Sequence, residues 1–177
     1  AKTIANSEGK TSILIKSRKN LIEIFIFTSN QPGLFFKTVQ SFEHLSIETI
    51  DSDIHTTNNG LYALNTFICK HKILGGNLIQ RDIQNIQKKI MSAIDSETPK
   101  LVTKTKPKTK KVFEYQTKVH ITDSSIKNIS FITLETLDKP NLLSEVAKIF
   151  LDHGVSIDSA RITTLGEKVE DNFTVTD

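Results

Sequence analysis

Two short polar loops carry the residues best suited to bind a small ligand. Residues 29–31 and 138–139 each follow a β-rich run and are themselves followed by a proline and a helical pattern. A helix N-terminus offers unpaired N–H groups and partial positive charge, which suit the carboxylate of an amino acid. Proline fits the first helical turn, and the polar residues before it can cap the helix. The candidate ligand-binding residues are therefore Asn30, Gln31, Gly33, Leu34, Asp138, Lys139, Asn141 and Leu142. The alternative is that both loops are only well-capped helix starts.

The two loops differ at one position that bears on binding. Gly33 has no side chain, so a ligand or a neighbouring domain could approach the backbone closely there. Asn141 stands at the corresponding place in the second loop, where its side chain would narrow a pocket or add an amide contact. We therefore expect the two sites not to be equivalent.

Asn65 and Asp171 form a second pair of candidate polar residues. Each shares strand parity with a phenylalanine, Phe67 or Phe173, so each is predicted to lie on the apolar face of a sheet. A polar group in that position must find a partner or cost about 1–3 kcal/mol. A hydrogen bond into the neighbouring hairpin is favoured over a ligand contact.

Residues suited to catalysis lack the surroundings they would need. Asp51 and Asp53 have the spacing of a magnesium-binding pair, but no Gly-Ser loop precedes them, so they are predicted to be polar strand residues on a solvated face. No histidine is followed by aspartate, and His55 is expected to be exposed. Cys69 ends a β-rich run and is predicted to be a small buried hydrophobe. The chain is expected to be non-catalytic and to hold no cofactor of its own.

An internal repeat organises the elements that position these residues. At an offset of 108 the chain matches itself at several places in order, which indicates two copies of one unit. The matching pairs are Thr28 and Thr136, Pro32 and Pro140, Leu34 and Leu142, Phe42 and Phe150, Ile54 and Ile162, and Thr56 and Thr164.

Each copy reads as a strand, an amphipathic helix and a two-stranded hairpin. In the first copy, isoleucines at helical spacing from Ile79 to Ile94 predict a second helix. The predicted fold class is α+β: two ferredoxin-like βαββαβ units with antiparallel sheets and helices on one face, the second unit truncated after its third strand. The alternating run 113–121 predicts a further strand, either the last one of unit one or, together with 12–16, a strand that fills the open edge of the other copy.

Composition and charge bound the organisation and the function classes. The predicted divisions are an N-terminal segment 1–20, a first domain 21–98, a basic connector 99–112, a strand and turn 113–128, and an incomplete second domain 129–177. Residues 100–118 hold seven Lys and one Glu, so the remaining chain is net −3 although the whole is +3. The lone Cys69 and the lack of a signal sequence favour the cytoplasm, and the start at Ala1 suggests an excised segment.

Six segments together resemble a known family. Residues 23–28, 30–35, 54–57, 64–67, 138–143 and 160–173 are similar to the two ACT domains that close the bifunctional uridylyltransferase and uridylyl-removing enzymes of bacterial nitrogen control. The resemblance runs from about Thr11 to Asp177, with Asn141 where the family pattern has glycine. It implies an ACT pair that senses L-glutamine, upstream catalytic domains that use Mg²⁺ and lie outside this chain, and the PII signal protein as a partner through the full-length enzyme.

The resemblance therefore implies a regulatory, glutamine-sensing module in which ligand binding shifts the packing of the two units against a catalytic domain. Two alternatives stay open. One is a tandem RNA-recognition module. Residues 61–67 lack the glycines of that motif and the folded units carry a net negative charge, and both observations disfavour this alternative. The other is an ACT homodimerisation platform that binds no ligand. No membrane partner is expected, because no apolar run approaches the length of a spanning helix.

Overall fold

The computed structural model describes residues 11–96, 116–125 and 128–176. Three helices and eight strands form over these residues, and the predicted α+β class is confirmed. The predicted connector 99–112 lies outside the described residues. In chain order the elements are β1 Ser12–Arg18, β2 Leu21–Ser29, α1 Leu34–His44, β3 Ile47–Thr56, β4 Tyr62–His71, α2 Gln80–Ile94, β5 Lys118–Asp123, β6 Ile129–Leu137, α3 Leu142–Asp152, β7 Ser156–Leu165 and β8 Lys168–Thr176.

One continuous antiparallel sheet joins the two copies. Its strand order is β1-β2-β4-β3-β7-β8-β6-β5, so unit one contributes β1 to β4 with α1 and α2, and unit two contributes β5 to β8 with α3. The units meet where β3 pairs with β7. The predicted pair of ferredoxin-like units is therefore present, arranged side by side in a shared sheet.

The junction has an approximate twofold axis at the pairing of Asp53 with Arg161. Ser52 pairs with Ile162, and Ile54 pairs with Ala160. At the offset of 108, Ser52 corresponds to Ala160 and Ile54 to Ile162, so the two pairings are equivalent to each other. Both β3 and β7 carry a β-bulge at the same place, between residues 49 and 51 and between residues 157 and 159. The residues of β3 at this junction consequently have counterparts in β7 across the axis.

The prediction for the edge strands is wrong. Lys118–Asp123 pairs with β6 of its own copy, and Ser12–Arg18 pairs with β2, so neither strand completes the other unit. A two-residue connection links β1 to β2, and a local hairpin closes at lower entropic cost than a crossover to a distant sheet edge. Residues 113–115 of the predicted strand lie outside the described part of the chain.

The helices cover one face of the sheet and enclose the core. Side chains at alternate positions of β2 and β4 are fully buried beneath α1, where the rings of Phe42 and Phe67 meet edge to face at 4.9 Å. In unit two the rings of Phe150 and Phe173 make the equivalent contact at 5.2 Å. Cys69 is fully buried, and burial raises the pKa of its thiol to about 12, which confirms the prediction of a core residue rather than a nucleophile.

None of the described helices covers the opposite face of the sheet. Asp53 and His55 lie there with their side chains largely exposed and 3.1 Å apart, so the prediction that they are solvated strand residues is confirmed. None of the helices in the described part of the chain has the length and apolar character needed to cross a membrane.

Candidate functional site

Each candidate loop enters its helix through a residue in the left-handed conformation. Gly33 (φ 72°) and Asn141 (φ 67°) are the N-cap residues of α1 and α3, and neither helix start has a side-chain cap. The N–H of Leu34 donates to the Gln31 carbonyl at 3.1 Å and closes a tight turn. The prediction that the prolines occupy the first helical turn is therefore wrong, because each proline lies in the turn before the helix. Asparagine is among the few residues that tolerate this conformation, which explains Asn141.

A cleft of about 420 Å³ opens between the two units at the start of α1. One wall is the loop 30–34, and the other is the end of α3 with residues 154–158 at the start of β7. The floor is the sheet of unit one, at Ile54, Thr56, Ala63 and Asn65. The predicted site residues Asn30, Gln31, Gly33 and Leu34 all line this cleft.

Gly33 allows the two units to approach each other. A Cβ added at Gly33 would lie 3.1 Å from a methyl group of Leu151, which belongs to α3 of the other unit. The expectation that this glycine permits close approach by a neighbouring domain is therefore confirmed.

Replacing Gly33 with alanine should lower the free energy of unfolding by more than its conformation alone requires. The left-handed conformation costs an alanine about 1–2 kcal/mol. Displacement of Leu151 should add about 1 kcal/mol. Gly60→Ala is the matched control, because Gly60 also has positive φ (70°) but an added Cβ would meet no atom within 4 Å. Urea unfolding of both variants measures the difference, and equal losses would contradict a tight contact between the units.

The position of the first loop is fixed by a buried lysine. Lys37 is 7% exposed, and its Nζ donates to Gln31 Oε1 at 3.2 Å and to the Ile94 carbonyl at 3.3 Å. The Gln31 amide donates to the same carbonyl at 3.1 Å. The end of α2 thereby anchors the loop that forms one wall of the cleft, and the positive charge of Lys37 complements the negative end of the helix.

Lys37→Met is expected to reduce the free energy of unfolding by about 1–3 kcal/mol, because it keeps the apolar stem but removes the donor to a buried carbonyl. The control is Lys88→Met on the exposed face of α2. This substitution should change the free energy of unfolding by less than about 0.5 kcal/mol. Chemical denaturation of the two variants is the measurement. If both variants match the unsubstituted chain, the Lys37 network does not hold the loop.

Asn65 places an unsatisfied acceptor at the floor of the cleft. The residue is 1% exposed, and its Oδ1 has no hydrogen-bond partner within the described ranges. The hydrogen bond predicted from this side chain to the neighbouring hairpin is thus not made by Oδ1. A buried acceptor without a partner costs free energy, and a ligand N–H group would remove that cost.

Asp171 occupies the equivalent position in unit two. Burial raises its pKa to about 7; the backbone N–H of Thr163 donates to the carboxylate and opposes the rise, while the charge of Asp138 adds to it. Because Thr163 lies on β7, which pairs with β8, this bond is made within the hairpin that contains Asp171 and not to a neighbouring hairpin as predicted. Its Oδ1, however, has no partner in the described part of the protein.

Asp158 supplies a carboxylate on the wall of the cleft that faces the α1 loop. Its Oδ2 accepts a hydrogen bond from the Thr176 hydroxyl, which holds the side chain in place. The first-turn amides of α1, at Phe35 and Phe36, have no earlier carbonyl within the helix. The cleft therefore has an electropositive helix start, an anionic wall and a neutral polar floor, an arrangement complementary to a zwitterion with a polar side chain.

Sequence reasoning missed the residues that unit two contributes to this cleft. Leu151, Ser156 and Asp158 are remote from the first loop along the chain. The repeat indicates two units, but the pairing of β3 with β7, which brings these residues together, has no local pattern. The one available signal is that Asp158 stands where the first copy has the apolar Ile50.

The second predicted loop lies away from this cleft. Lys139 forms an exposed ion pair with Glu145 at 2.8 Å, and Leu142 is buried. Burial raises the pKa of Asp138, as does the charge of Glu48, whereas Lys72 and the Lys139 backbone N–H lower it. Asp138, Lys139, Asn141 and Leu142 thus stand at the related position across the axis, in more acidic surroundings.

The sequence is similar to one group of bacterial enzymes over nearly its whole length. It is 32% identical over 180 residues to the bifunctional uridylyltransferase/uridylyl-removing enzyme of Psychrobacter sp. (strain PRwf-1), covering 98% of this chain and 20% of that protein. The enzyme of the same name from Psychrobacter cryohalolentis is 29% identical over 98% of this chain and 19% of its own length. For that of Acinetobacter baumannii (strain AYE) the values are 31%, 91% and 18%. The chain thus spans about a fifth of the length of these relatives.

A solved structure has a similar fold over most of this chain. The aspartate kinase from Synechocystis superposes with a TM-score of 0.50 at 15% identity, covering 90% of this chain and 24% of that one. At this identity the likeness shows the fold alone, which is of the ACT type. No protein-family model matches the sequence. By its sequence similarity and its paired ACT-type units, the chain is homologous to a segment that makes up about a fifth of the length of bifunctional uridylyltransferase/uridylyl-removing enzymes.

Proposed function

We propose that this chain is the amino-acid-sensing module of such an enzyme and that L-glutamine binds in the cleft between the units. The observation that carries the proposal is the unpartnered Oδ1 of Asn65 at the floor of that cleft. For the whole enzyme, the proposal includes the uridylyltransferase and uridylyl-removing activities for which the relatives are named. It also includes the PII signal protein as the substrate. The catalytic domains and their Mg²⁺ would lie outside this chain.

The two charged ends of an amino acid match the two walls. Its carboxylate would accept hydrogen bonds from the first-turn amides of α1. Its ammonium group would lie against Asp158 on the opposite wall. Since the two walls belong to different units, an amino acid in this orientation would bridge them.

The floor favours an amide side chain over a carboxylate. The amide of glutamine can donate an N–H to Asn65 Oδ1, whereas the ionised side chain of glutamate would place one acceptor against another. A site built to pair with a donor rejects analogues that lack it, because its own polar group is then left unpaired. Glutamine is therefore expected to bind more tightly than glutamate.

Bridging the units gives binding a route to regulation. A ligand shifts an equilibrium only by binding one state more tightly than another. Glutamine would favour the arrangement in which the Gly33 loop lies against α3. A domain attached to either unit would then respond to this change in the arrangement of the units.

Isothermal titration calorimetry of the chain with glutamine, glutamate and alanine tests the proposal. We expect saturable binding of one glutamine per chain and binding of glutamate about tenfold or more weaker. Alanine keeps both charged ends but has no amide, so it should also bind more weakly. Absence of heat at millimolar glutamine, from a chain shown to be folded, would contradict the sensing role.

A further inference from the structure

A second cavity, the helix pocket, opens between α1 and α2. It has a volume of about 210 Å³ and is lined by four residues of α1, from Lys37 to His44, and by four residues from Lys89 to Ser96 in and just after the last turns of α2. His44, Lys89 and Ser92 are exposed, so the helix pocket is open to solvent. It shares no lining residue with the first cleft, which lies between the two units.

The lining of the helix pocket is rich in hydrogen-bond donors and contains no acid. Of its eight side chains, seven can donate a hydrogen bond, two of these are lysines, and none is Asp or Glu. Glu43 and Asp95 are neighbours of the lining residues in sequence but do not line the pocket. Because the chain outside residues 100–118 is net negative, this pocket differs in charge from the average of its surroundings.

Lys37 is the buried charge of the helix pocket. Its side chain is 7% exposed, and its ammonium group donates to Gln31 Oε1 and to the Ile94 carbonyl. An ammonium group has three N–H donors, so these two acceptors leave one N–H without a partner in the described part of the chain. A buried donor without an acceptor costs free energy, and an anion in the pocket would offset that cost.

Three further side chains around the pocket have donors without partners. The Gln40 amide, the Lys89 ammonium group and the Ser92 hydroxyl form no hydrogen bond or ion pair within the described ranges. The hydroxyl groups of Ser41 and Ser96, by contrast, already donate to backbone carbonyls. Both helices therefore present donors to the pocket, and an occupant must supply the acceptors.

A phosphoryl group matches this set of donors. It carries up to two negative charges and three oxygen atoms that accept hydrogen bonds, so it can pair with several donors that approach from different sides. A carboxylate has only two oxygens and is matched best by the forked guanidinium group of arginine, which is absent from the lining of this pocket. Lysine, which is present twice, binds phosphate as a point charge.

We propose that the helix pocket binds a phosphoryl group, with Lys37 and Lys89 supplying the positive charge and Gln40 and Ser92 donating hydrogen bonds to its oxygens. Free phosphate and a phosphate monoester offer the same chemistry. In an ester, the organic part would extend through the open side of the pocket into solvent. The site does not depend on what the first cleft binds.

An NMR titration of the ¹⁵N-labelled full chain at constant pH tests the proposal. Inorganic phosphate and methyl phosphate are the ligands, and sodium chloride at equal ionic strength is the reference. The side-chain amide of Gln40 and the backbone amide of Ser92 should shift saturably with phosphate and give a single dissociation constant. Binding of methyl phosphate as well would identify a site for phosphate esters, and binding of phosphate alone would identify the free ion as the ligand. Shifts that do not saturate at millimolar phosphate, or that chloride reproduces, would overturn the proposal.

Substitutions locate the effect. Lys89→Gln should weaken phosphate binding by about tenfold, because it removes a charged donor and keeps a polar side chain. Lys88→Gln is the matched control, since it makes the same change at the adjacent exposed position of α2, which does not line the pocket. Equal weakening in these two variants would show only a general attraction to surface charge and would overturn the proposal. Lys37→Met should abolish binding, and if that variant does not fold, the comparison of Lys89→Gln with Lys88→Gln decides.

Discussion

Asp171→Asn is expected to raise the free energy of unfolding at about pH 8 by about 4 kcal/mol. The pKa of Asp171 is raised to about 7 in the folded protein from an ordinary value of 3.8, chiefly by burial. The folded state then binds more protons than the unfolded state between about pH 4 and 7, so stability is fully present below this range and is lost as the pH rises through it. Asparagine cannot ionise and avoids this loss.

Urea unfolding at a series of pH values from about 4 to 8 measures the effect. The stability of the unsubstituted chain should fall over this range, and that of Asp171→Asn should fall much less. Asp53→Asn is the control, because it makes the same substitution at an exposed carboxylate on the other face of the sheet. If the stability of the unsubstituted chain and that of Asp171→Asn changed with pH in parallel, burial would not raise the pKa of Asp171 in the folded protein.

Asn65→Leu is expected to weaken glutamine binding by about 10- to 100-fold without loss of stability. The change removes the acceptor at the floor of the cleft and substitutes an apolar side chain of similar size. Because Oδ1 has no hydrogen-bond partner among the residues that the structure describes, its removal should leave the free energy of unfolding unchanged or raise it. Calorimetric titration with glutamine and chemical denaturation measure the two effects separately.

Asn85→Leu is the matched control for this variant, since Asn85 is exposed on α2 and remote from the cleft. It should bind glutamine like the unsubstituted chain. If Asn65→Leu also bound glutamine normally, the Oδ1 of Asn65 would not contact the ligand. If the variant lost stability by several kcal/mol, Asn65 would instead have a structural role.

Much of each unit was predictable because local periodicity determines it. The helical spacing from Leu34 and from Leu142, and the alternation around Phe67 and Phe173, match the observed helices and buried strand faces. The same alternation placed Asn65 and Asp171 on the apolar side. These are short-range patterns, in which each residue's environment follows from its neighbours in sequence.

The features that the sequence did not predict depend on long-range pairing or on backbone conformation. The edge strands were misassigned because alternation shows that a strand is half-buried and not which strand it joins. Proline is compatible with both a first helical turn and the turn before it. Pro32 lies in the turn before α1, because Gly33 adopts the left-handed conformation and the helix begins only after it. The cleft itself exists only because β3 pairs with β7, which brings Leu151 and Asp158 to the first loop.

The most direct test of the account is an NMR titration of the ¹⁵N-labelled chain with glutamine, followed at the side-chain amide of Asn65 and the backbone amide of Gly33. If glutamine binds in the first cleft, both resonances should shift saturably with a single dissociation constant, and amides of the loop 138–142 should change little. Saturable shifts confined to residues 138–142, or no shifts in either loop at millimolar glutamine, would contradict it.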